Sequence, residues 1–424
     1  MRPEQFKHHL RVRYSAIMDS AAIDRIADWL VRRGLEGTPE IDLLRGFCER
    51  CNATGLPISR ALVLIDTLHP VHEGTVFRWR GDGEPEEPAR DYGRSDEGDA
   101  ARIWQTSPFF ALLQSGKEEM RRRLAFGDPA DFEVFREMKD EGHTDYVLLL
   151  YRFAPEEAIG EMDSVYSSWA TRDPAGFSDA GLAALRRLVP ALSLAIKTAA
   201  LAKVAANLVG VYLGRDAGQR VLQGRIRRGV ADRIEAVLWF SDLRSFTTIT
   251  DSARPGEIIP LLNDYAEAVI TAVHEQGGDV LKLIGDGTLA IFRADDASDA
   301  SARALRAVTS MRAKVSELNE RRRAEEQPTS TVYVGLHAGE VFYGNIGSVD
   351  RLDFTVVGPA VNEASRIASM CRSVDRPVLV SQAFAVALPA PDRQTLVSVG
   401  RYALRGVGHA EELFTIDPEL LQAG

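Results

Sequence analysis

Residues 178–213 read as one long helix, and this run constrains the rest of the chain more than any other feature. It opens on Ser178, a residue type that caps helix starts, and stays apolar or small until Gly214 and Gly218. A run of that length is either a membrane span or a soluble element that needs a partner. Its most apolar part, 189–213, carries Pro190, Lys197, Lys203 and Asn207 and is filled with Ala rather than Leu or Ile, so inserting it into a bilayer would be costly. The expectation is a soluble helix with no membrane insertion. Leu185, Leu188, Leu192, Ala195, Ala199, Ala202 and Ala206 recur at a 3-4 spacing. That spacing suits a dimeric seam of close-packed helices as well as it suits burial in the core of one domain. Pro190 predicts a kink.

A helix in mid-chain implies something on each side of it. The chain has 424 residues, more than one hydrophobic core usually covers at roughly 150 residues per domain. With 45% hydrophobic and 26% charged residues it can bury real cores. The formal charge of -10 repels a polyanionic backbone, which disfavours general nucleic-acid binding and binding to anionic membranes. Three cysteines, Cys48, Cys51 and Cys371, cannot make a disulfide framework, and residues 1–7 lack the apolar core of a secretory signal. A reducing, cytoplasmic location is the expectation.

Ahead of the helix, 20–34 and 40–54 have the pattern of two amphipathic helices, and 59–65, 74–80, 145–153 and 163–170 read as strands. The acidic, Gly- and Pro-rich stretch 81–99 reads as an exposed loop, and 109–124 as a helical segment. This is an α+β pattern of a sensory-module type. The ending 169–179, Trp-Ala-Thr-Arg-Asp-Pro-Ala-Gly-Phe-Ser-Asp, resembles the last strand and exit helix of GAF domains. Phe77, Trp79, Trp104, Phe109, Phe110 and Trp169 could line a sensor pocket, although aromatic residues on a half-buried sheet are more often core. No residue pattern here names the ligand or partner that would act as input. The pair Cys48 and Cys51 has metal-site spacing but no second pair, and reads as two packed helix residues.

After the basic turn 224–229 the character changes, and four separated segments make sense together. The first, 236–247, is an apolar strand ending in Asp242 and opening into a helix. A carboxylate at a strand end beside free helix amides can hold a hard cation against a phosphate. The second, 280–292, is two strands joined at Gly285-Asp286-Gly287. Alone this is an ordinary hairpin turn; paired with Asp242 it supplies the two carboxylates of a minimal two-metal site.

With the third segment, 334–347 (Val-Gly-Leu-His-Ala-Gly-Glu-Val-Phe-Tyr-Gly-Asn-Ile-Gly), and the fourth, 353–366 (Asp-Phe-Thr-Val-Val-Gly-Pro-Ala-Val-Asn-Glu-Ala-Ser-Arg), the sequence resembles the class III nucleotidyl cyclase catalytic domain over about 232–416. The resemblance implies a ferredoxin-like, antiparallel-rich α+β domain. It makes Asp242, Asp286 and the carbonyl of Leu243 the ligands of two Mg2+ or Mn2+ ions per site. Asn362 would orient the ribose and Arg366 would meet charge on the α-phosphate; four residues apart, they share one helix face. Lys282 and Thr355 would read the purine edge, Phe246 would also touch substrate, and Arg405 would stand in for the family's triphosphate-binding Lys.

Lys282 with Thr355, in place of the Glu and Cys of usual guanylate cyclases, implies ATP as substrate, because a hydroxyl can accept from adenine's amino group. The implied reaction is attack of the ribose 3′-oxygen on the α-phosphate with loss of pyrophosphate. In this family the two halves of a site come from different protomers, which implies a head-to-tail homodimer. Ser245 departs from the family, which commonly has Gly there, and leaves a non-catalytic signalling module as the alternative. His337 reads as a core residue rather than a ligand, and Arg225, Arg227 and Arg228 as a solvated turn at the domain junction. The expected organisation is a GAF-like regulatory domain at 1–177, a long helix and linker at 178–229, and the catalytic domain at 230–418.

Overall fold

The computed structural model describes residues 19–417 except 84, 86, 97, 154–159, 161 and 294–295. The reading of residues 1–7 therefore lies outside the described residues. The chain divides into two compact units, 1–208 and 209–424, both of mixed α+β type. Residues 178–229, expected as a linker, are shared between them, and the division falls inside the long helix.

In the first unit, helices α1 (Ser20–Leu35) and α2 (Glu40–Ala53) precede strands β1 (Arg60–Asp66), β2 (Gly74–Arg80) and β3 (Ala89–Tyr92). Two short helices follow, α3 (Gly98–Gln105) and α4 (Pro108–Gln114), then β4 (Glu119–Arg122), α5 (Glu133–Asp140), β5 (Asp145–Arg152), β6 (Ser164–Thr171) and the long α6 (Asp179–Leu213). The strands form one antiparallel sheet in the order β3-β2-β1-β6-β5-β4. Residues alternate between its faces as a pleated strand requires. Val63, Ile65, Phe77, Val147 and Trp169 pack with α1, α2 and α6 on one side. Leu64, Tyr146, Leu148, Leu150 and Tyr166 pack with α4 and α5 on the other.

Two expectations are corrected here. The stretch 81–99 contains the edge strand β3, and 109–124 is helical only to Gln114 before it turns into β4. Neither strand carries an apolar alternation: β3 is Ala-Arg-Asp-Tyr and β4 is Glu-Met-Arg-Arg. Backbone pairing to a neighbour makes them strands, so their side chains give no signal.

Cys48 and Cys51 are buried in α2, where burial pushes both thiols up, as expected of core residues. In α6, Ser178 Oγ accepts from the Gly181 amide. Leu185, Leu188, Leu192 and Ala195 lie in the unit's own core, whereas Ala202 and Ala206 are exposed. The core reading thus holds for the first half of the helix. By length and composition α6 could cross a bilayer, but 44% of its most apolar window is buried inside the protein. Its start is fixed by Asp145, fully buried on β5, which accepts from the Arg121 guanidinium at 3.1 Å and from the Phe177 amide at 3.0 Å.

The second unit opens with α7 (Arg215–Leu222) and the central strand β7 (Ala231–Leu243). Then come α8 (Phe246–Ser252), α9 (Pro255–Glu275), the hairpin β8 (Asp279–Ile284) and β9 (Gly287–Phe292), and α10 (Ala297–Ala324). Strand β10 (Val332–Gly347) folds back into β11 (Leu352–Val357), followed by α11 (Pro359–Val374), β12 (Val378–Ser381), α12 (Gln382–Ala387), β13 (Leu396–Ala403) and β14 (Ala410–Ile416). The sheet order is β13-β14-β12-β10-β7-β9-β8, with β11 paired to β10. Every neighbour is antiparallel except β10 with β12. Val237 and Trp239 face a core with α9, α10 and α12, and Ala236 and Leu238 face one with α7 and α11. Both faces of β7 are covered, which is why it reads as a continuous apolar run ahead of Asp242. Arg225, expected in a solvated turn, pairs with Asp232 at the start of β7.

Candidate active site

Asp242 stands one residue before the end of β7, and Asp286 in the two-residue turn between β8 and β9, where Ile284 pairs with Gly287. Gly285 in that turn takes φ +62°. A Cβ on Gly287 would lie 2.6 Å from the Ser241 carbonyl oxygen, so only glycine lets the hairpin close on β7 at this point. The closure brings Asp286 to the strand end, where its Oδ2 accepts from the Leu243 amide at 3.1 Å.

Oδ1 of Asp242 is buried and has no hydrogen-bond partner among the described residues. Burial, and then the neighbouring Asp286 charge, push the Asp242 carboxyl up to about 6. Two carboxylates held together with an unpartnered oxygen are the donor set of a hard divalent cation, and they fit the Mg2+ or Mn2+ that the resemblance implies. Among the described residues no group of three or more His, Cys, Asp or Glu side chains forms a closed cage. Such a pair leaves coordination positions for backbone and phosphate oxygens. The cavity over it, about 190 Å³, is lined by both aspartates, Leu243 and residues of α9.

The remaining candidates gather elsewhere in the unit. Asn362 and Arg366 are both exposed on α11, one turn apart. This helix lies close on the sheet because Gly335 of β10 has no side chain; a Cβ there would be 2.4 Å from the Ala368 nitrogen. Asn362 shares a cavity of about 700 Å³ with Arg405 and His409 of the loop between β13 and β14. Arg366 does not line that cavity, and no residue lining it lines the carboxylate cavity.

Lys282 of β8 pairs with Asp353 of β11, and Thr355 follows two residues on, on the same strand face. Asp353 is the residue that sequence reasoning passed over. Its signal was present, since it sits at i−2 from Thr355 in a strand, but its sequence separation of 71 from Lys282 hides the partnership. Phe246 packs partly buried against the α9/α10 core.

Ser245 precedes α8 with φ 57° and ψ 27°, the left-handed region. This explains physically why a glycine suits the position: a side chain there costs about 1–2 kcal/mol. His337 is buried on β10, 3.5 Å from Glu363 of α11, and burial lowers it to about 4, so it stands neutral as a packed residue.

Residues 231–417 match the family model of the adenylate and guanylate cyclase catalytic domain. An adenylate cyclase of Anabaena cylindrica is 32% identical over 175 residues, 40% of this chain and 34% of that protein. An uncharacterized protein of Mycobacterium tuberculosis is 31% identical over 206 residues, 47% of this chain and 36% of its own length. The chain thus spans about a third of the length of these curated relatives. Among solved structures, a bacterial light-regulated adenylyl cyclase is 24% identical with a TM-score of 0.46, covering 52% of this chain and 64% of that one. The guanylyl cyclase Cya2 is 26% identical with a TM-score of 0.39, covering 44% and 93%.

Proposed function

We propose that this chain, whose residues 231–417 are an adenylate and guanylate cyclase catalytic domain, is an adenylate cyclase that converts ATP to 3′,5′-cyclic AMP and pyrophosphate. The observation that carries the reading is the Asp242–Asp286 pair with its unpartnered buried oxygen. Asp242, Asp286 and the Leu243 carbonyl would hold two Mg2+ or Mn2+ ions. Bound there, the ions supply polarisation of the 3′-oxygen and neutralisation of the triphosphate.

The protein's own groups do the positioning. Lys282 donates to a ring nitrogen of adenine, releasing Asp353 in exchange, and the Thr355 hydroxyl accepts from the amino group. Asn362 fixes the ribose so that its 3′-oxygen faces the α-phosphorus. Arg366 meets the charge that develops as the new P–O bond forms and the bond to the β-phosphate breaks, and Arg405 holds the departing pyrophosphate. Phe246 borders the substrate beside the carboxylates.

Two copies are needed in this reading, arranged head to tail with the carboxylates of one opposite Asn362 and Arg366 of the other. Its support is the separation of the two carboxylates and Asn362 into cavities with no lining residue in common. Phe342, Ile346 and Val357 on β10 and β11 are also exposed and share one sheet face, an apolar patch suited to a second copy. The first unit we infer to be a GAF-like regulatory domain, in keeping with its six-stranded antiparallel sheet flanked by helices, and the whole protein to act in the cytoplasm without membrane insertion.

Mixing two inactive variants, Asp242→Ala and Asn362→Ala, tests chemistry and assembly together. Half of the dimers would be mixed, each with one intact site, so about a quarter of the parental cyclic AMP production returns. No return, from variants that each remain folded, rejects the composite site. A parental protein that makes no cyclic AMP from ATP with Mg2+ or Mn2+ rejects the enzyme, and faster turnover of GTP rejects the base assignment.

A further inference from the structure

The first unit contains a cavity of about 450 Å³ between its sheet and the short helices α3 and α4. The floor follows from strand register. Leu62 and Leu64 of β1 stand opposite Arg78 and Val76 of β2, and Val76 stands opposite Arg90 of β3. Directly opposed residues share a sheet face, so a patch of aliphatic side chains ends in two guanidinium groups. The roof is α3, which presents Ala100, Ile103 and Trp104 at helical spacing toward the cavity. No residue of α3 is buried, and Ile103 remains 66% exposed. Trp104 packs edge-on against Tyr166, but an amphipathic helix lying over an aliphatic floor with Ile103 uncovered lacks the apolar mass that would complete the layer.

The two arginines and two aspartates at the cavity are not paired with one another. Asp91 is engaged by Thr75 at 2.7 Å and by His72, and Asp99 by Arg102 at 3.1 Å. Arg90, largely exposed, approaches the Glu87 carboxylate at 3.6 Å. Arg78 reaches only the Glu87 main-chain oxygen, at 3.4 Å, and no carboxylate of the described residues lies within ion-pair distance of it. A partly buried guanidinium with no carboxylate of the described residues in direct contact, beside an aromatic and aliphatic chamber, matches one chemistry. We propose that this cavity binds a small apolar carboxylate, its ring or chain between Trp104, Phe109 and Leu64 and its carboxylate forked by Arg78, with Arg90 at the mouth. The ligand covers Ile103 and brings an anion into direct contact with Arg78. This assignment concerns binding alone and stands whether or not the second unit is an adenylate cyclase.

The test uses the full-length protein and three probes: 2-naphthoate, its neutral analogue 2-naphthamide, and acetate. Tryptophan quenching and calorimetry follow binding. Naphthoate binds saturably at submillimolar concentration, naphthamide about tenfold or more weakly, and acetate not measurably, because one charge-assisted fork is worth about a factor of ten or more. Arg78→Met keeps the aliphatic stem and removes the fork, so it abolishes the preference for acid over amide while leaving amide binding intact. Ile103→Asp, at an exposed position that does not threaten folding, weakens both aromatic probes. Equal affinity for acid and amide in the parent, an acid preference that survives Arg78→Met, or no binding of naphthoate to the folded protein each overturns the proposal.

Discussion

Replacing Asp242 by Asn asks the most of the site, because it separates what the carboxylate does for chemistry from what it costs the fold. The Asp242 carboxyl is raised from 3.8 to about 6 by burial and by the Asp286 charge. Between those values the native state binds more protons than the unfolded chain. The contribution to stability is therefore neutral below about pH 4, falls as pH rises, and is fully unfavourable above about pH 6. A displacement of this size corresponds to about 3 kcal/mol at about 1.4 kcal/mol per pH unit, and solvent reaching the partly open cavity screens it to roughly half. Asp242→Asn keeps the shape and removes the charge. In denaturant unfolding without divalent cations, the variant should match the parent at pH 4 and exceed it by about 1–2 kcal/mol at pH 7, with no cyclase activity. Millimolar Mn2+ should then stabilise the parent and leave the variant unmoved. A variant less stable than the parent at pH 7, or a difference that does not change between pH 4 and pH 7, refutes the reasoning.

Other expectations rest on single positions. Ser245→Gly relieves a left-handed serine and should raise stability by about 1 kcal/mol in thermal or chemical unfolding, with activity equal or higher. Gly335→Ala drives a methyl into the α11 backbone, so about 2–3 kcal/mol of stability should go. Activity should fall by tenfold or more in the molecules that still fold, because α11 carries Asn362 and Arg366. Asp353→Asn leaves Lys282 without its ion-pair partner and should change KM for ATP more than kcat, measured by initial rates over a range of ATP. Arg121→Met strips the buried Asp145 of its cation and should cost about 3 kcal/mol in unfolding experiments, beyond what a surface arginine would.

The parts of this molecule that were legible in its sequence are those where one residue had to answer to two constraints. Strand β7 could be read because it is buried on both faces and then stops at a carboxylate. The turn at Gly285-Asp286-Gly287 could be read because its glycines answer to backbone geometry while Asp286 stands as a second carboxylate beside the one that ends β7. Strands β3 and β4 were opaque, since main-chain pairing alone defines them. The dual nature of α6 was open for a related reason: a 3-4 repeat of Leu and Ala is the same whether the facing surface is the unit's own sheet, as for Leu188, or solvent, as for Ala206. The Lys282–Asp353 pair lay beyond reach because nothing local in either segment points to the other.

The exposed apolar arm formed by β10 and β11 has one more consequence. In the proposed dimer, with two copies meeting through Phe342, Ile346 and Val357, the amount of chain present becomes a variable in its own output. Below the dissociation constant of that contact, halving the protein lowers the paired form roughly fourfold, by mass action alone. Gene dosage and turnover would then act as a gain control on the proposed activity.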